Sequence, residues 1–371
     1  MKPSAKMLNF KTYLKNILFL TIVTFSLSSC SKNSGKESKS IKLSEIYNFK
    51  LNENFIQPEE LIAPSAVCQD SLGNIYISCS KSAFIYKFSP DLKYLSRFGG
   101  KGQGPGEFAG GPVTLIYING QILSSCYRDM TTNVYNLESE FIKKLPRKLP
   151  SGLSGSVVFN NDLLMHLEFL DQKDDEIQIR STLAKLDKSF SEVEYDIYSY
   201  ETVSKGLLMP ISDALLNFAT NEKNLYVGRV SSKDFYIDIY DKNFTKVGKI
   251  THGYRTKIND YEQYIYFFNQ YGAGFKSKSE SKWKDKKIEF KAINRLFTDK
   301  DGRLLVISPR EKKENKNGEI LVDVYEDSNL LGSIKLPFKD PKFYNYVYNK
   351  VYFIKDKIFY FDNGEIKIYT Y

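Results

Sequence analysis

A hairpin signature recurs six times along this 371-residue chain, and no other feature constrains the fold as tightly. In each copy a short run of β-branched and aromatic residues enters an acidic or Ser-Pro turn and is followed by a second such run. The copies are Phe84–Phe88 into Ser89-Pro90-Asp91, Val134–Leu137 into Glu138-Ser139-Glu140, and Leu183–Leu186 into Asp187-Lys188-Ser189. They continue with Ile237–Tyr240 into Asp241-Lys242-Asn243, Val322–Tyr325 into Glu326-Asp327-Ser328, and Phe359–Phe361 into Asp362-Asn363-Gly364. Repetition at intervals of about 40–80 residues means an array of small sheets, and six copies imply an all-β, six-bladed β-propeller.

A second series agrees with the first. Asn74, Gln121, Asp162, Asn224, Arg303 and Lys350 each stand at a turn before an apolar strand, one strand upstream of a hairpin copy. Each blade then reads as inner strand, turn, second strand, loop, third strand, acidic turn, outer strand. Blades pack face to face, so middle strands are buried on both faces and read as unbroken apolar runs such as Ile75-Tyr76-Ile77. The 26 Phe and 27 Tyr suit wedge-shaped gaps between twisted sheets. The segment from Ile41 to Phe55 is expected to pair with the last blade, because closing the ring removes an open edge. Between blades 4 and 5, residues 256–288 form an insertion. There Tyr261, Tyr264, Ile265, Phe268 and Tyr271 fall at helical spacing, which predicts a helical insertion.

The first residues give an address. Lys2, Lys6, Lys11 and Lys15 precede an apolar stretch from Ile17 to Leu27, too short for the ~20 residues that span a bilayer. The pattern reads as a signal peptide over residues 1–29, ending in Leu27-Ser28-Ser29-Cys30. That ending resembles the lipobox of bacterial lipoproteins, which implies acylation of Cys30 and a membrane anchor, with residues 30–40 as a flexible tether and 41–371 as the propeller. Ser31-Lys32-Asn33-Ser34 lacks an acidic run resembling a surface-export signal, so an outer-membrane anchor facing the periplasm is expected. Without the four signal lysines the formal net charge of +9 falls to +5. An exported chain of this mildly basic balance with no recognition motif is not expected to bind nucleic acid. Cys68, Cys79 and Cys126 remain. Cys68 and Cys79 flank one turn near the limit of disulfide geometry, and free buried thiols are expected.

The segment Phe98-Gly99-Gly100-Lys101-Gly102-Gln103-Gly104-Pro105-Gly106-Glu107-Phe108 resembles the GxGQGPGEF loop of six-bladed β-propeller lipoproteins of Bacteroidetes, relatives of NHL and TolB-like propellers. Asp70-x-x-Gly73-Asn74-Ile75-Tyr76 and the lipobox support the resemblance, which covers nearly the whole mature chain. It implies a cell-envelope binding or scaffold protein. The glycine-rich loop itself reads as a blade-to-blade crossing, with Gln103 and Glu107 at the channel mouth; a phosphate cradle needs a following helix and a Lys-Ser/Thr pair.

Chemistry is sparse. Only His166 and His252 are present, too few for a three-histidine metal centre, and no Gly-x-Ser-x-Gly elbow occurs. No catalytic residue, metal or cofactor is expected. His166 lies in an apolar strand and reads as a core residue; His252 and Tyr254 follow an outer strand at a blade crossing. Seven residues beyond the anchors stand Lys81, Arg128, Phe169, Ser231, Arg310 and Lys357, with Arg229 close by. A ring of bases around a channel mouth attracts anions. The expected ligand-binding residues are therefore Lys81, Gln103, Arg128, Arg229, His252, Tyr254 and Arg310, on one loop face. They would take an anionic ligand, a glycan or a partner protein. The alternative is a propeller lyase or hydrolase acting on a polysaccharide or ester.

Overall fold

In the computed structural model the chain from Leu43 to Tyr371 forms one compact unit. The structure describes residues 42–126, 128, 131–146, 155–173, 176–205, 216–229, 231, 233–253, 258–259, 288–289, 292–310, 318–339, 351–362 and 364–371. Six four-stranded antiparallel sheets follow one another along the sequence. Blade 1 comprises Pro64–Gln69, Ile75–Cys79, Phe84–Phe88 and Tyr94–Gly99, and blade 2 Ile116–Ile118, Gln121–Cys126, Thr131–Tyr135 and Phe141–Pro146. Blade 3 is Ser156–Phe159, Asp162–Lys173, Glu176–Leu186 and Val193–Lys205; blade 4 is Leu216–Thr220, Leu225–Arg229, Phe235–Tyr240 and Lys246–His252. Blade 5 is Arg295–Thr298, Leu304–Ile307, Glu319–Glu326 and Asn329–Lys339. Blade 6 takes Val351–Ile354, Lys357–Asp362 and Glu365–Thr370 from the C-terminal end and its fourth strand, Lys50–Leu51, from the N-terminal side.

The core is six clusters, one at each interface between neighbouring blades. Alternate residues of a strand serve opposite neighbours: Ile75 and Ile77 pack towards blade 6, whereas Tyr76 packs towards blade 2. Both faces are consequently dry, and all five residues of Ile75–Cys79 and all four of Leu304–Ile307 are buried. Side-chain hydrogen bonds link the inner strands around the ring. Thr298 Oγ1 donates to the Thr220 carbonyl at 2.6 Å, and Thr220 Oγ1 donates to the Val158 carbonyl at 3.1 Å.

The turn residues that announce the repeats cap their own turns. Between first and second strands, Asp70 Oδ1 accepts from the N–H groups of Leu72 and Asn74, and Asp299 Oδ1 from those of Asp301 and Arg303. Between third and fourth strands, Asp187 Oδ1 holds the N–H groups of Ser191 and Glu192, and Asp241 Oδ1 those of Asn243 and Thr245. Leu92, Ser139, Phe190 and Phe244 lie at a matching place in these hairpins with φ between 58° and 73°. Left-handed backbone disfavours such residues, but Leu92 is 2% exposed, and Phe190 and Phe244 pack against the interface clusters. Burial offsets the strain.

Two expectations change. The closing segment is not a strand from Ile41 to Phe55: only Lys50–Leu51 pairs, Lys50 with Thr370 and Leu51 with Tyr369, and Leu43–Ile46 is a short helix. Because the fourth strand of blade 6 comes from the N-terminal side, Asp362-Asn363-Gly364 joins its second and third strands, and Lys350 precedes its first. The sixth copy is thus displaced by one strand. The 62-residue spacing from Asp162 to Asn224 reflects long strands: blade 3 has strands of 12, 11 and 13 residues against five or six in the outer three of blade 1. At ~3.3 Å per residue, its second to fourth strands rise ~20 Å above the disc. The insertion leaves and returns at one point, where Ile258–Asn259 pairs with Ile288–Glu289. Its expected helix, with the stripe from Tyr261 to Tyr271, lies outside the described residues.

The cysteine expectation holds: Cys68, Cys79 and Cys126 are free and buried. Burial, reinforced by the Asp70 charge, pushes the Cys68 thiol far above its ordinary range.

Candidate functional site

An antiparallel four-stranded blade puts its second-to-third loop and the crossing to the next blade on one face of the disc, here the loop face. The other two turns lie on the opposite, turn face. Lys81 and Arg128 stand exposed in second-to-third loops, and His252 ends the fourth strand of blade 4 on the same face. Arg310 lies in the corresponding loop of blade 5. Lys357 begins the second strand of blade 6 and belongs to the turn face, a consequence of the displaced sixth copy. Phe169 lies within the extended second strand of blade 3, its ring 4.4 Å from the Arg180 guanidinium. Tyr254 falls outside the described residues.

The glycine-rich crossing is a structural joint. Phe108 is 1% exposed, Tyr135 donates its hydroxyl hydrogen to the Gly106 carbonyl at 2.5 Å, and Asn133 Nδ2 donates to the Glu107 carbonyl at 3.0 Å. The Glu107 side chain folds back onto the Gly104 N–H at 2.8 Å instead of lining a channel mouth, while Gln103 is exposed. Gly99, at φ +86°, has room for no side chain: a Cβ there would lie 2.8 Å from the Phe108 ring.

The bases differ sharply in what surrounds them. Arg310 donates from Nη2 to Asp323 Oδ1 at 2.7 Å, and Ser333 Oγ donates to the same oxygen at 2.5 Å. Asp323 is 4% exposed, so this pair is bound into the blade and its charge is spent there. Tyr325, on the same side of that strand, stacks on Phe235 at 6.3 Å, and Phe235 lies 4.5 Å from the His252 ring. Arg310 and His252 therefore flank one interface, between blades 4 and 5.

Arg229 is the other case. It ends the second strand of blade 4, and its guanidinium carbon lies 4.7 Å from the centre of the Tyr236 ring and 5.9 Å from that of Tyr200. Its Nε–H is shielded from solvent and has no hydrogen-bond partner among the described residues. Strand register explains the setting. On the extended blade 3, Glu168, Ser181 and Tyr200 form one cross-strand row, with His166, Leu183 and Tyr198 in the next. Blade 4 presents Arg229, Tyr236, Asp238 and Lys246. Lys246 Nζ pairs with Asp238 Oδ1 at 2.6 Å and donates to the Tyr236 hydroxyl at 3.0 Å, which pushes the ammonium up. Burial pushes the Tyr198 hydroxyl up to about 12 against the lowering effect of the Arg229 charge. Burial likewise lifts the Glu168 carboxyl above its ordinary range, with no cation drawing it down. Asp238 is held by Lys246, and no carboxylate of the described residues forms an ion pair with Arg229.

His166 is buried, at 5% exposure, as its apolar strand predicts. Its Nδ1 lies 3.8 Å from Glu168 Oε1. Tyr198, Tyr200, Tyr236 and Glu168 are the members of this cleft that sequence reasoning misses. The available signal is the alternation Tyr195-x-x-Tyr198-x-Tyr200, which places the last two on one face of a strand.

No family model matches the chain, and no curated protein does. Among solved structures, a member of the DUF4221 family from Bacteroides vulgatus is 13% identical; the likeness covers 87% of this chain and 97% of that one, with a TM-score of 0.49. A Bacteroides fragilis protein described as exported is 13% identical, over 87% and 94% of the two chains, with a TM-score of 0.48. Virginiamycin B lyase from Staphylococcus aureus is 9% identical, over 87% and 99%, with a TM-score of 0.43. At these identities and TM-scores nothing about ligand or reaction passes to this chain.

Proposed function

We propose that this chain is a lipid-anchored propeller of the cell envelope that binds an acidic glycan on its loop face, in the cleft between blades 3 and 4. The observation that carries the reading is the Arg229 guanidinium, half-buried, framed by two tyrosine rings and paired with no carboxylate of the described residues. A guanidinium is the side chain best matched to a carboxylate or sulfate, and the flat faces of Tyr200 and Tyr236 suit the C–H faces of sugar rings. Lys81, Arg128 and His252, exposed on the same face, would contribute long-range attraction and little contact energy. Arg310, neutralised by Asp323, belongs to the scaffold.

The anchor would be Cys30, with residues 31–40 as the tether on the periplasmic side of the outer membrane. Labelled fatty acid should enter the wild-type protein and not Cys30→Ala.

Binding is tested by titrating the soluble propeller with polygalacturonate and with neutral amylose. Arg229→Ala should weaken polygalacturonate binding at least tenfold with the melting temperature little changed, and rising salt should weaken it further. Equal affinity in the folded variant would reject the cleft.

A further inference from the structure

The axis of the ring carries a second site, distinct from the Arg229 cleft. A cavity of about 560 Å³ is lined by residues from the first strands of all six blades. Its rim is made of turn-face residues, Gln69, Glu222, Lys300 and Lys355 among them, so it opens on the side opposite Arg229. It reaches inward to Ser156, at the far end of its strand in blade 3. The volume falls within the range of ~300–1,000 Å³ typical of small-molecule sites.

The lining has a definite chemistry. Each first strand pairs on one side only, so its free edge turns alternate N–H and C=O groups towards the axis. Gln69 and Ser156 add polar side chains to this lining; their oxygens, Gln69 Oε1 and Ser156 Oγ, have no hydrogen-bond partner among the described residues and are covered in this conformation, so a ligand meets them only after a small side-chain rotation. Gln69 is held in place through its other amide atom, Nε2, which donates to the Gly73 carbonyl at 3.0 Å.

Among the described lining residues, charge is paired or stays at the rim. Asp299 is occupied by Arg303 and Tyr47, and Lys300 by Asp301. Glu222 and Lys355 stand exposed at the rim, and the remaining wall includes Val67, Val157 and Phe353. Past the rim a charged ligand would meet no unpaired counter-ion among the described lining residues, and an apolar one would leave Ser156 and the strand edges unmet. A molecule that donates and accepts hydrogen bonds while offering C–H faces to apolar walls meets every condition. We propose that the axial cavity binds a neutral, hydroxyl-rich small molecule, a mono- or disaccharide, entering from the turn face.

The test titrates the soluble propeller with glucose and maltose, and with glucuronate and triglycine as the charged and peptide counterparts. Saturable binding of a neutral sugar is expected, weakened three- to tenfold by Ser156→Ala and by Gln69→Leu. Ser156→Phe, which fills the axis, should abolish it, and Arg229→Ala should leave it unchanged, so this site and the loop-face cleft fail or stand separately. Absence of saturable sugar binding, or binding undiminished in folded Ser156→Phe, overturns the proposal. If Ser156→Phe does not fold, the Ser156→Ala and Gln69→Leu double variant decides on the same terms. Tighter binding of glucuronate or triglycine than of maltose overturns the ligand class.

Discussion

Tyr47 donates its phenolic hydrogen to Asp299 Oδ2 at 2.6 Å, joining residues 252 positions apart. Arg303 Nη1 donates to the same oxygen at 2.7 Å, and the Asp299 side chain is fully buried. The Tyr47 ring packs 5.3 Å from Tyr371, the last residue. Burial, with the Asp299 charge adding to it, pushes the Tyr47 hydroxyl far above its ordinary range, so it stays a donor at any physiological pH. The N-terminal segment thus closes the ring at three places: by the two-residue ladder at Lys50–Leu51, by this bond, and by Gln57, whose Nε2 donates to the Gly364 carbonyl and whose Oε1 accepts from the Ile366 N–H.

Tyr47→Phe keeps the packing and removes one donor from a buried carboxylate. Hydrogen bonds to charged groups contribute about 1.5–3 kcal/mol, and Arg303 remains, so a loss of about 2 kcal/mol is expected. Urea unfolding should show a lower midpoint with an unchanged slope. A loss below about 0.5 kcal/mol would mean that the ladder and the Gln57 bonds close the ring without it.

Arg310 and Arg128 should separate in the same assay. Arg310→Ala leaves Asp323 buried with only Ser333 against it. Breaking a buried pair costs about 3–5 kcal/mol, reduced here to about 2–3 because the Arg310 side chain is 21% exposed. Arg128→Ala, at an exposed turn, should stay within about 0.5 kcal/mol. Equal effects would return Arg310 to the loop charge.

Six units are legible in the sequence because turns carry local chemistry: an Asp241 or an Asp187 caps its own hairpin whatever surrounds it. Blade 6 slips by one strand because its fourth strand is two residues long and lies some 300 residues upstream of the rest, too short for any periodic pattern. The height of blade 3 hides in a spacing that loops could equally fill. Arg229 is visible as a base near a loop, yet what distinguishes it from Arg310 is invisible. Tyr200 sits on another blade, and whether a nearby acid neutralises a base is decided by which residues the interface brings together.

Close approach of backbones makes a sharper prediction at the crossing from blade 1 to blade 2. A Cβ on Gly111 would lie 1.9 Å from the Ser80 carbonyl oxygen, a backbone atom that cannot swing aside. Gly111→Ala should therefore separate the two segments and cost about 2–4 kcal/mol, in the range of strained or overpacked sites. Gly253→Ala, with nothing within 4 Å, is the control and should be close to neutral. Thermal unfolding of the two variants checks the contrast.

Glu168 should make the Arg229 cleft pH-dependent, and the sign follows from its burial. Its carboxyl titrates above the ordinary value of 4.5, so between that value and its raised one the folded state binds more protons than the unfolded. Stability then falls as pH rises through that window, since the slope follows the protons bound in the unfolded state minus those bound in the folded state. Glu168→Gln keeps the shape and removes the charge. Its stability relative to wild type should increase from pH 4 up to the raised value and level off above it. Glu168 and Arg229 both act on the Tyr200 hydroxyl, the first raising it and the second lowering it, so they share one cleft. Deprotonation of Glu168 consequently sets a negative charge beside the anion site. Polygalacturonate binding should weaken across the same window in wild type and stay flat in Glu168→Gln. Parallel pH profiles for the two proteins would place the ligand elsewhere on the loop face.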